Sequence, residues 1–552
     1  MSHSPTGDQT EARKFTRRQF VGRAAALGLS VSALPALSGL LDPVVAAAST
    51  RAPDRKRGGI LRIGETGNFE NFDPQSEPGG DWPFFNQLYG SLSRDTMQPN
   101  AGASEMWLAS GYKFGPGYKY VDITLRDGVK FIDGSPLNSA ALLANLKKIM
   151  NPVTGRDAYA DWATIISSYR AVDEKTTRLY FKGVPANEYI RELISRMELV
   201  SPQLIAQGEN ALDSKASGTG AFALASYEPG SLAVMTRNPY FWKQPLPYLD
   251  SIEFHFFTDA NAMTSTLLSG GLDMVIGLPP QFIKSLTSSF KVINGPKQMC
   301  FEVISSTRPG RPFERKAARQ ALQYLIDRER FSQQIMFGTG EVAWVHVAPT
   351  SIGWEESFTK RYSYDPDLAK AKFKALGMLG KKPIEIVQLT GVYPLIGDLA
   401  EMVAGEMNDI GLNAALKPVD TAGWLDVHVG AHAGDYDMIM SFMGRGDRYP
   451  VFAAVGNPAL EPIGNPAWAN GKPPAAYSNA FTQLQHAQTP ADQRKWALAM
   501  EECVLDESWD IAVSYQPFQY AMDKNLMGFA NSRDDWIQLD AAYFAEEACQ
   551  VA

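Results

Sequence analysis

The strongest restriction on the fold of this 552-residue chain comes from the regular alternation of helical and strand patterns in its second half. From residue 364 onward, the helix-type segment "DPDLAKAKFKALG" precedes the strand-type "PIEIVQLT". The helix-type "LAEMVAGEMNDIG" then precedes the strand-type "LNAALKPVD". Strands that alternate with helices are typical of a parallel sheet that is covered by helices. We therefore predict an α/β fold with parallel strand pairing in this half.

The first half contains shorter strands and more turns. The segment "ILRIGE" alternates apolar and polar residues and predicts a strand. Further along, "YVDITLRDGVKFIDGSPLNSAALLANLKKIM" predicts strands followed by a helix, with Asn138 or Ser139 as its cap. Residues 228–230, Glu-Pro-Gly, predict the turn of a hairpin, and "FERKAARQALQYLIDRERFSQQI" predicts one continuous helix. We expect this half to mix hairpins with helices.

The amino-terminal stretch Thr16–Thr50 has the composition of an export signal. Arg23 and Pro35 interrupt its apolar run, which argues against a membrane-spanning helix. Basic residues, a mildly apolar region and the small residues Ala46–Ala48 follow one another as in a signal peptide, and "TRRQF" resembles a twin-arginine signal. We expect residues 1–48 to be a twin-arginine-type signal peptide and the remaining chain to be soluble in the periplasm. A disordered basic tail is the alternative.

Charge and cysteine content exclude several classes of protein. The formal net charge is −8, whereas partners such as nucleic acids or anionic membranes require a basic face. The chain is long enough for two or three domains. Its three cysteines, Cys300, Cys503 and Cys549, allow at most one disulfide. We expect three free thiols, no nucleic-acid partner and a fold that does not depend on disulfides.

The sequence contains no recognisable catalytic motif. We find no G-x-S-x-G, Walker, H-E-x-x-H or C-x-x-C pattern, and only six histidines. His428 and His432 have the spacing of a metal-binding pair on a helix, but no third ligand is evident, and exposed histidines at a helix end are the favoured interpretation. We therefore predict no catalytic residues, no metal site, no cofactor and no enzymatic activity.

Large aromatic and polar residues are concentrated where strands are predicted to end. Ligands of α/β domains bind at the carboxyl ends of strands, in pockets with aromatic walls and a few polar groups. The alternative is that each aromatic side chain covers a local core. The candidate ligand-binding residues are Phe69, Asn71, Phe72, Trp82, Trp344, His346, Trp424, Phe442, Arg445, Asp447 and Tyr515.

Several segments in succession resemble one protein family. They are "LRDGVKFIDGSPLNSAALLANLKKI", "GTGAFALASYEPGSLAVMTRNPYFWKQPLPYLDSIEF", "LLSGGLDMV" and "ARQALQYLIDRERFSQQIMFGTG". They are similar to the signatures of bacterial extracellular solute-binding proteins of the dipeptide, oligopeptide and nickel type, which belong to family 5 and serve ABC importers. The resemblance extends over about Gly58–Phe529, nearly the whole chain after the leader.

The resemblance implies a fold and a division into domains. The fold is α/β, a two-lobed periplasmic-binding-protein fold (type II, cluster C) with an extra domain on the first lobe. Two crossing segments, near Phe301–Ser305 and Val513–Pro517, would join the lobes. The implied domains are lobe I at 58–89, 212–302 and 516–552, the extra domain at 90–211, and lobe II at 303–515.

The resemblance also implies a function. Such a protein captures a peptide or peptide-like small solute between two closing lobes and delivers it to the permease and ATPase subunits of an ABC transporter. We expect a monomer that does no bond chemistry. A non-peptide solute such as an opine, a glycoside, haem or chelated nickel is an alternative within the class. A secreted hydrolase, and a chemoreceptor partner or folding helper, are alternatives of other kinds.

One loop differs from the pattern of the family. Peptide-binding members place an aspartate shortly after the glycine that corresponds to Gly444, whereas this chain has Arg445 there and its first acid at Asp447. Asp447 could bind a ligand amino group through a shifted loop, or Arg445 could bind a carboxylate or phosphate. A solvated Arg–Asp pair on the surface is the third alternative. We hypothesise a ligand with an anionic group at Arg445, stacked between Phe72, Trp82 and Trp424.

Overall fold

The computed structural model describes most of the chain after the leader. The described residues are 57–66, 71–75, 82–96, 104–154, 156–390, 394–428, 432, 434–444, 473–532 and 537–545. All of them belong to the compact unit formed by residues 55–552.

The main structural feature is a mixed sheet of eleven strands. The strands of the described chain are β1 Ile60–Thr66, β2 Ser93–Asp95, β3 Ser104–Met106, β4 Ala109–Phe114, β5 Tyr120–Leu125, β6 Ile166–Ala171, β7 Thr176–Phe181, β8 Phe222–Glu228, β9 Leu232–Arg237, β10 Ser251–Phe257, β11 Met274–Ile276, β12 Lys291–Ser305, β13 Glu341–Val342, β14 Ile384–Leu389, β15 Ala414–Val419, β16 Met438–Gly444, β17 Asp510–Met522, β18 Leu526–Met527, β19 Ala530–Asn531, β20 Ile537–Gln538 and β21 Tyr543–Phe544. The order of the large sheet is β15-β14-β16-β12-β17-β11-β1-β10-β9-β8, and β13 pairs with β17 outside this path. A separate sheet has the order β4-β5-β7-β6, and three two-stranded sheets complete the described set.

Parallel pairing occurs at two places in the large sheet, and the place in the second half of the chain is the one that the helix–strand alternation predicts. β1 is parallel to β10 and β11, and β14 is parallel to β15 and β16. The antiparallel pair of β12 and β17 lies between these two groups. The carboxyl ends of parallel neighbours lie at the same edge of a sheet, which brings the segments after β1, β10 and β11 together.

Helices cover the sheets, and some of them begin at a residue whose side chain caps the first turn. Asn138 is the N-cap of its helix, and its side chain accepts a hydrogen bond from the Ala141 amide, which confirms that prediction. Thr489 caps the longest described helix in the same way, through the Asp492 amide. The helices are α1 Trp82–Leu88, α2 Ser139–Ile149, α3 Arg156–Ile165, α4 Asn187–Ser195, α5 Pro202–Ile205, α6 Ala260–Leu268, α7 Ile283–Leu286, α8 Lys316–Leu325, α9 Arg328–Arg330, α10 Pro366–Ala375, α11 Pro394–Asp409, α12 Thr421–His428, α13 Ala475–His486 and α14 Pro490–Glu507.

The predicted continuous helix of residues 313–335 is wrong, because the structure divides it. Helix α8 ends at Leu325, and Ile326 has an extended ψ of 114°. The Asp327 side chain then accepts a hydrogen bond from the Arg330 amide and starts a new helical turn, which continues as a π-helix over Phe331–Ile335. A polar residue that can cap a helix competes with the apolar periodicity around it.

Two large hydrophobic cores lie on either side of the β12–β17 pair. The first core contains residues of β1, β10, the four-stranded sheet and α2, and the second contains residues of β14, β16, α8 and α11. Strands β12 and β17 pair from Lys291 with Met522 to Ile304 with Asp510 and contribute residues to both cores. The predicted domain boundaries and crossing segments remain predictions.

Two glycines of the "GTGAF" segment allow the chain to pass close to the end of α1. A Cβ atom on Gly218 would lie 2.3 Å from the Leu88 carbonyl oxygen, and one on Gly220 would lie 2.2 Å from the Gln87 carbonyl oxygen. These distances leave no space for a side chain, which explains why this segment requires glycine at both positions.

Two of the three cysteines lie within the described residues, whereas the predicted signal peptide, residues 1–48, lies outside them. Cys300 is buried and Cys503 is half-buried, neither forms a disulfide, and Cys549 lies outside the described residues. Within the described parts of the chain, no helix is both long and apolar enough to cross a membrane.

Candidate ligand-binding cleft

A cleft with about 620 Å³ of open space lies between the two large cores. Its lining consists of Thr66, Ala260, Gly277–Pro280, Met299, Phe301, Leu395, Phe442 and Gln516–Gln519.

The topology of the sheet determines where the cleft lies. Thr66 ends β1, Gly277 follows β11, and Ala260 comes three residues after β10, so three parallel neighbours direct their carboxyl ends toward it. The Leu278 amide donates a hydrogen bond of 3.0 Å to the Gln519 carbonyl oxygen, which fixes the segment after β11 against β17. The cleft therefore occupies the edge at which α/β sheets bind ligands.

One wall of the cleft is aromatic and rests on the second core. The rings of Phe301 and Phe442 have centroids 6.0 Å apart and are tilted by 33°. The ring of Phe301 also meets Phe331 edge-on at 5.2 Å. Phe442 is half-buried and Phe301 is buried, so the exposed part of this wall belongs mainly to Phe442. Such a wall can pack against an apolar group of a ligand.

A buried polar atom belongs to the lining residue Gln519. The Gln519 amide nitrogen donates a hydrogen bond of 3.3 Å to the Asn294 side-chain oxygen. Its Oε1 atom is buried and has no hydrogen-bond partner within the described chain. An unsatisfied buried acceptor is costly, and a donor group on a bound ligand would satisfy it.

Glu65 lies next to the cleft residue Thr66 but faces the first core. It shares one side of β1 with Leu61 and Ile63, which are buried in that core. Burial raises the pKa of Glu65 from 4.5 to about 8. The carboxyl group is therefore largely protonated near neutral pH and adds little negative charge beside the cleft.

The structure places one of the described candidate residues, Phe442, in the cleft lining. Phe72 is buried in the first core, with its ring 5.2 Å from Tyr227 and perpendicular to it. Trp424 donates from its indole nitrogen to the Met440 carbonyl oxygen at 3.0 Å and is buried in the second core. The Tyr515 hydroxyl is buried and lies within hydrogen-bonding distance of two main-chain carbonyl oxygens. These contacts give Phe72, Trp424 and Tyr515 packing roles in the fold, and their roles in binding remain predictions.

The other candidates are distributed over several places. Asn71 accepts a hydrogen bond from the Asp73 amide at 2.8 Å. The Arg328 guanidinium lies over the Trp344 ring at 5.0 Å, and buried His346 is paired with Asp510. Trp82 is the first residue of α1, and its side chain does not belong to the described part of the structure. Phe69, Arg445 and Asp447 also lie outside the described residues.

The histidines of helix α12 and the segment after it do not share the exposed position that the sequence analysis favours. His428 is buried and its ring stacks on Trp424 at 4.3 Å. His432 is exposed, and its Nδ1 atom lies 2.7 Å from the Asp426 carboxylate. The expectation of two exposed histidines is therefore wrong for His428, because an aromatic neighbour one helical turn earlier covers its ring.

Sequence reasoning missed Thr66 and Gln519. Gln519 belongs to "AVSYQPFQYAM", where a polar residue interrupts an otherwise buried strand. That interruption is the available signal, since a buried polar residue in a central strand requires a partner. Thr66 carries no comparable signal, because threonine is common at strand ends.

A family model matches most of the chain. The model is described as bacterial extracellular solute-binding proteins, family 5 Middle, and it matches residues 104–458. Among curated relatives, the glutathione-binding protein GsiB of Salmonella typhi is 24% identical over 545 residues, which is 95% of this chain and 98% of the relative.

Solved structures show the same fold. The periplasmic binding protein DppA from Helicobacter pylori, in complex with the peptide STSA, matches with a TM-score of 0.79 and 16% identity, covering 89% of this chain and 99% of the other. AgaA from A.tumefacien R10, in complex with agropinic acid, matches with a TM-score of 0.78 and 19% identity, covering 88% and 99%. The described chain therefore has the two-lobed α/β fold of periplasmic binding proteins.

Proposed function

The chain belongs to the bacterial extracellular solute-binding proteins of family 5, and we propose that it captures a peptide or peptide-like small solute for an ABC importer. The solute would bind in the cleft between the two cores, and closure of the lobes would present it to the membrane permease. The observation that carries this proposal is the position of the cleft, between two separate cores that the β12–β17 pair connects.

The chemistry of the cleft supports a ligand of mixed character. Phe442 offers an aromatic surface to an apolar side chain or ring. Gln519 Oε1 offers a buried acceptor to an N–H or O–H group. A peptide has both kinds of group, and the names of the relatives mention glutathione and a short peptide.

The surroundings of the protein follow from the same proposal. We place the chain in the periplasm after removal of a twin-arginine signal peptide, as a monomer that works with permease and ATPase subunits and has no catalytic activity. The leader composition and the acidic net charge of −8 support this placement.

A non-peptide solute is the second candidate. None of the described lining residues carries a formal charge that could pair with a peptide terminus. The structural relative AgaA is in complex with agropinic acid, which shows that this fold accepts such a ligand. An opine-like or otherwise conjugated acid therefore belongs in any ligand screen.

The segment that follows β16 in the sequence would supply the charge that the described lining lacks. Gly444, the last residue of β16, pairs with the cleft residue Met299, and Arg445 and Asp447 follow it in the sequence. We propose that Arg445 contacts an anionic group of the solute. Replacing Arg445 with alanine should weaken binding at least tenfold, which corresponds to about 1.4 kcal/mol. An unchanged affinity, or a comparable loss only in Asp447→Asn, would contradict this assignment.

Calorimetric titration with glutathione, di- and tripeptides and opines tests the proposed site. In the variant Phe442→Ala, the affinity for the solute that binds should fall about tenfold or more, because burying an aromatic side chain contributes about 1.5–3 kcal/mol. Phe114→Ala is the matched control, since Phe114 is also half-buried but lies in β4, away from the cleft. Equal affinities for Phe442→Ala and the wild type would place the solute elsewhere.

A further inference from the structure

Three ionisable side chains that are distant in the sequence meet in the interior. Glu302, His346 and Asp510 are 0%, 2% and 2% exposed. Each offers one ligand atom, and these atoms all lie within 4.8 Å of one another. None of the three residues belongs to the lining of the cleft.

The register of the sheet brings the two carboxylates together. In the antiparallel pair of β12 and β17, Glu302 is opposite Ala512 and Ile304 is opposite Asp510. Residues directly opposite each other point to the same face, and residues two apart on one strand share that face. Glu302 and Asp510 are therefore diagonal neighbours on one face of the β12–β17 pair.

The segment after β13 positions the imidazole over this face. The Tyr515 hydroxyl lies 2.6 Å from the Val345 carbonyl oxygen and 2.8 Å from the Val347 carbonyl oxygen. These contacts hold the main chain on both sides of His346. The Nε2 atom of His346 then lies 3.1 Å from a carboxylate oxygen of Asp510.

Two buried carboxyl groups lie beside one imidazole in this cluster. Buried charges in proteins are normally paired or coordinate a metal ion.

Hydrogen bonding in the cluster is also incomplete. The Nε2 atom of His346 contacts the Asp510 carboxylate, whereas its Nδ1 atom is buried and has no hydrogen-bond partner within the described chain. A buried histidine that lies against carboxylates and has an unpartnered ring nitrogen can serve as a metal ligand.

We infer that Glu302, His346 and Asp510 form a binding site for one divalent transition-metal cation of the Zn²⁺ type. One imidazole nitrogen and two carboxylate oxygens are ligands that zinc accepts, whereas Mg²⁺ and Ca²⁺ prefer oxygen ligands alone. A divalent cation would balance the charges of the two carboxylates. It would also connect β12, β17 and the segment after β13, and its binding does not depend on the proposed solute.

Metal analysis of protein without an affinity tag tests the inference. After treatment with a chelator, the protein is dialysed against Zn²⁺ and its metal content is measured by mass spectrometry. We expect one Zn²⁺ per chain in the wild type, and at least tenfold weaker binding in Glu302→Gln and Asp510→Asn. Glu385→Gln removes an exposed carboxylate that pairs with Lys417, and Asp426→Asn removes the one beside His432; both variants should bind Zn²⁺ like the wild type.

X-ray absorption spectroscopy of the zinc-loaded wild type gives a second readout that does not depend on the folding of a variant. The expected spectrum shows nitrogen and oxygen ligands with a single imidazole. Any one of three results would overturn the inference. Zinc dialyses away from the wild type, zinc binding survives both Glu302→Gln and Asp510→Asn, or the spectrum shows several imidazoles. If zinc dialyses away, the cluster is an ion pair of His346 with a carboxylate, and bound protons neutralise the remaining negative charge.

Discussion

Glu65 provides the most quantitative test of the structure. It is 7% exposed, its Oε2 atom has no hydrogen-bond partner within the described chain, and burial raises its pKa to about 8. The substitution Glu65→Gln keeps the shape of the side chain and removes its ability to ionise. The variant therefore isolates the free energy of holding a carboxyl group in the first core.

The expected magnitude follows from proton linkage. The unfolded chain releases the Glu65 proton near the ordinary pKa of 4.5, whereas the folded chain keeps it up to about pH 8. Because the folded state binds more protons in this window, the wild type loses stability as the pH rises. The free energy of unfolding falls by at most about 1.4 kcal/mol per pH unit, and the accumulated loss reaches about 3 kcal/mol near pH 7. Glu65→Gln does not incur this loss.

Urea unfolding at one-unit steps from about pH 5 to about pH 9 measures the effect. The stability of Glu65→Gln relative to the wild type should increase with pH and level off above the folded pKa. Glu385→Gln is the control, because Glu385 is exposed and pairs with Lys417 at 3.0 Å, and its difference from the wild type should stay small. A pH-independent difference for Glu65→Gln, or one of opposite slope, would refute the argument.

Three further substitutions test buried polar contacts. Lys148→Met should destabilise the protein by about 3–5 kcal/mol in chemical unfolding, because it leaves Asp73 as a buried charge; the double variant with Asp73→Asn should recover much of the loss. Asn145→Leu should lower the free energy of unfolding by about 1–3 kcal/mol in the same assay, since it leaves the hydrogen-bonding groups of the Val200 main chain unsatisfied. A smaller effect would contradict the importance of this contact. Tyr515→Phe removes the hydroxyl beside the Val345 and Val347 carbonyl oxygens, so it should lower the melting temperature and weaken Zn²⁺ binding. Unchanged Zn²⁺ affinity in this variant would show that the hydroxyl does not position His346.

Local sequence patterns predict the elements of this fold well where the pattern and the burial agree. The alternation in "ILRIGE" corresponds to β1, and the cap at Asn138 begins α2 as expected. Both predictions depend on neighbouring residues only, which is why one sequence is sufficient for them. The division of residues 313–335 was not predicted, because capping by Asp327 and the apolar periodicity give opposite signals there.

Buried polar residues could not be predicted from the same patterns. In α2, Leu143 has core spacing but is half-buried, while Asn145 and Lys148 are fully buried. Asn145 is buried because Gln75 and Val200 satisfy its side chain, and these partners are 70 and 55 residues away. Only tertiary structure shows such partners, and a local pattern assigns polar residues to the surface.

The candidate site shows the same limit. An aromatic residue at a strand end has the same sequence signature whether it packs in a core, as Phe72 does, or lines a cleft, as Phe442 does. The residues of the Glu302, His346 and Asp510 cluster come from three distant segments, so no spacing motif connects them. In each case the function-bearing arrangement depends on how strands are ordered in the sheet.

Native mass spectrometry of the protein purified from the cells that naturally produce it tests the central claim most directly. A family 5 solute-binding protein that encloses its ligand should carry one small solute per chain. Nanomolar affinity corresponds to a binding free energy of about −12 kcal/mol, so a ligand held this tightly stays bound during purification. The released solute should rebind to the wild type and to Phe114→Ala, and bind at least tenfold more weakly to Phe442→Ala. A chain that carries no solute and binds no member of the peptide, glutathione and opine panel would contradict the proposed capture. A solute that Phe442→Ala binds as tightly as the wild type would contradict the assignment of the cleft.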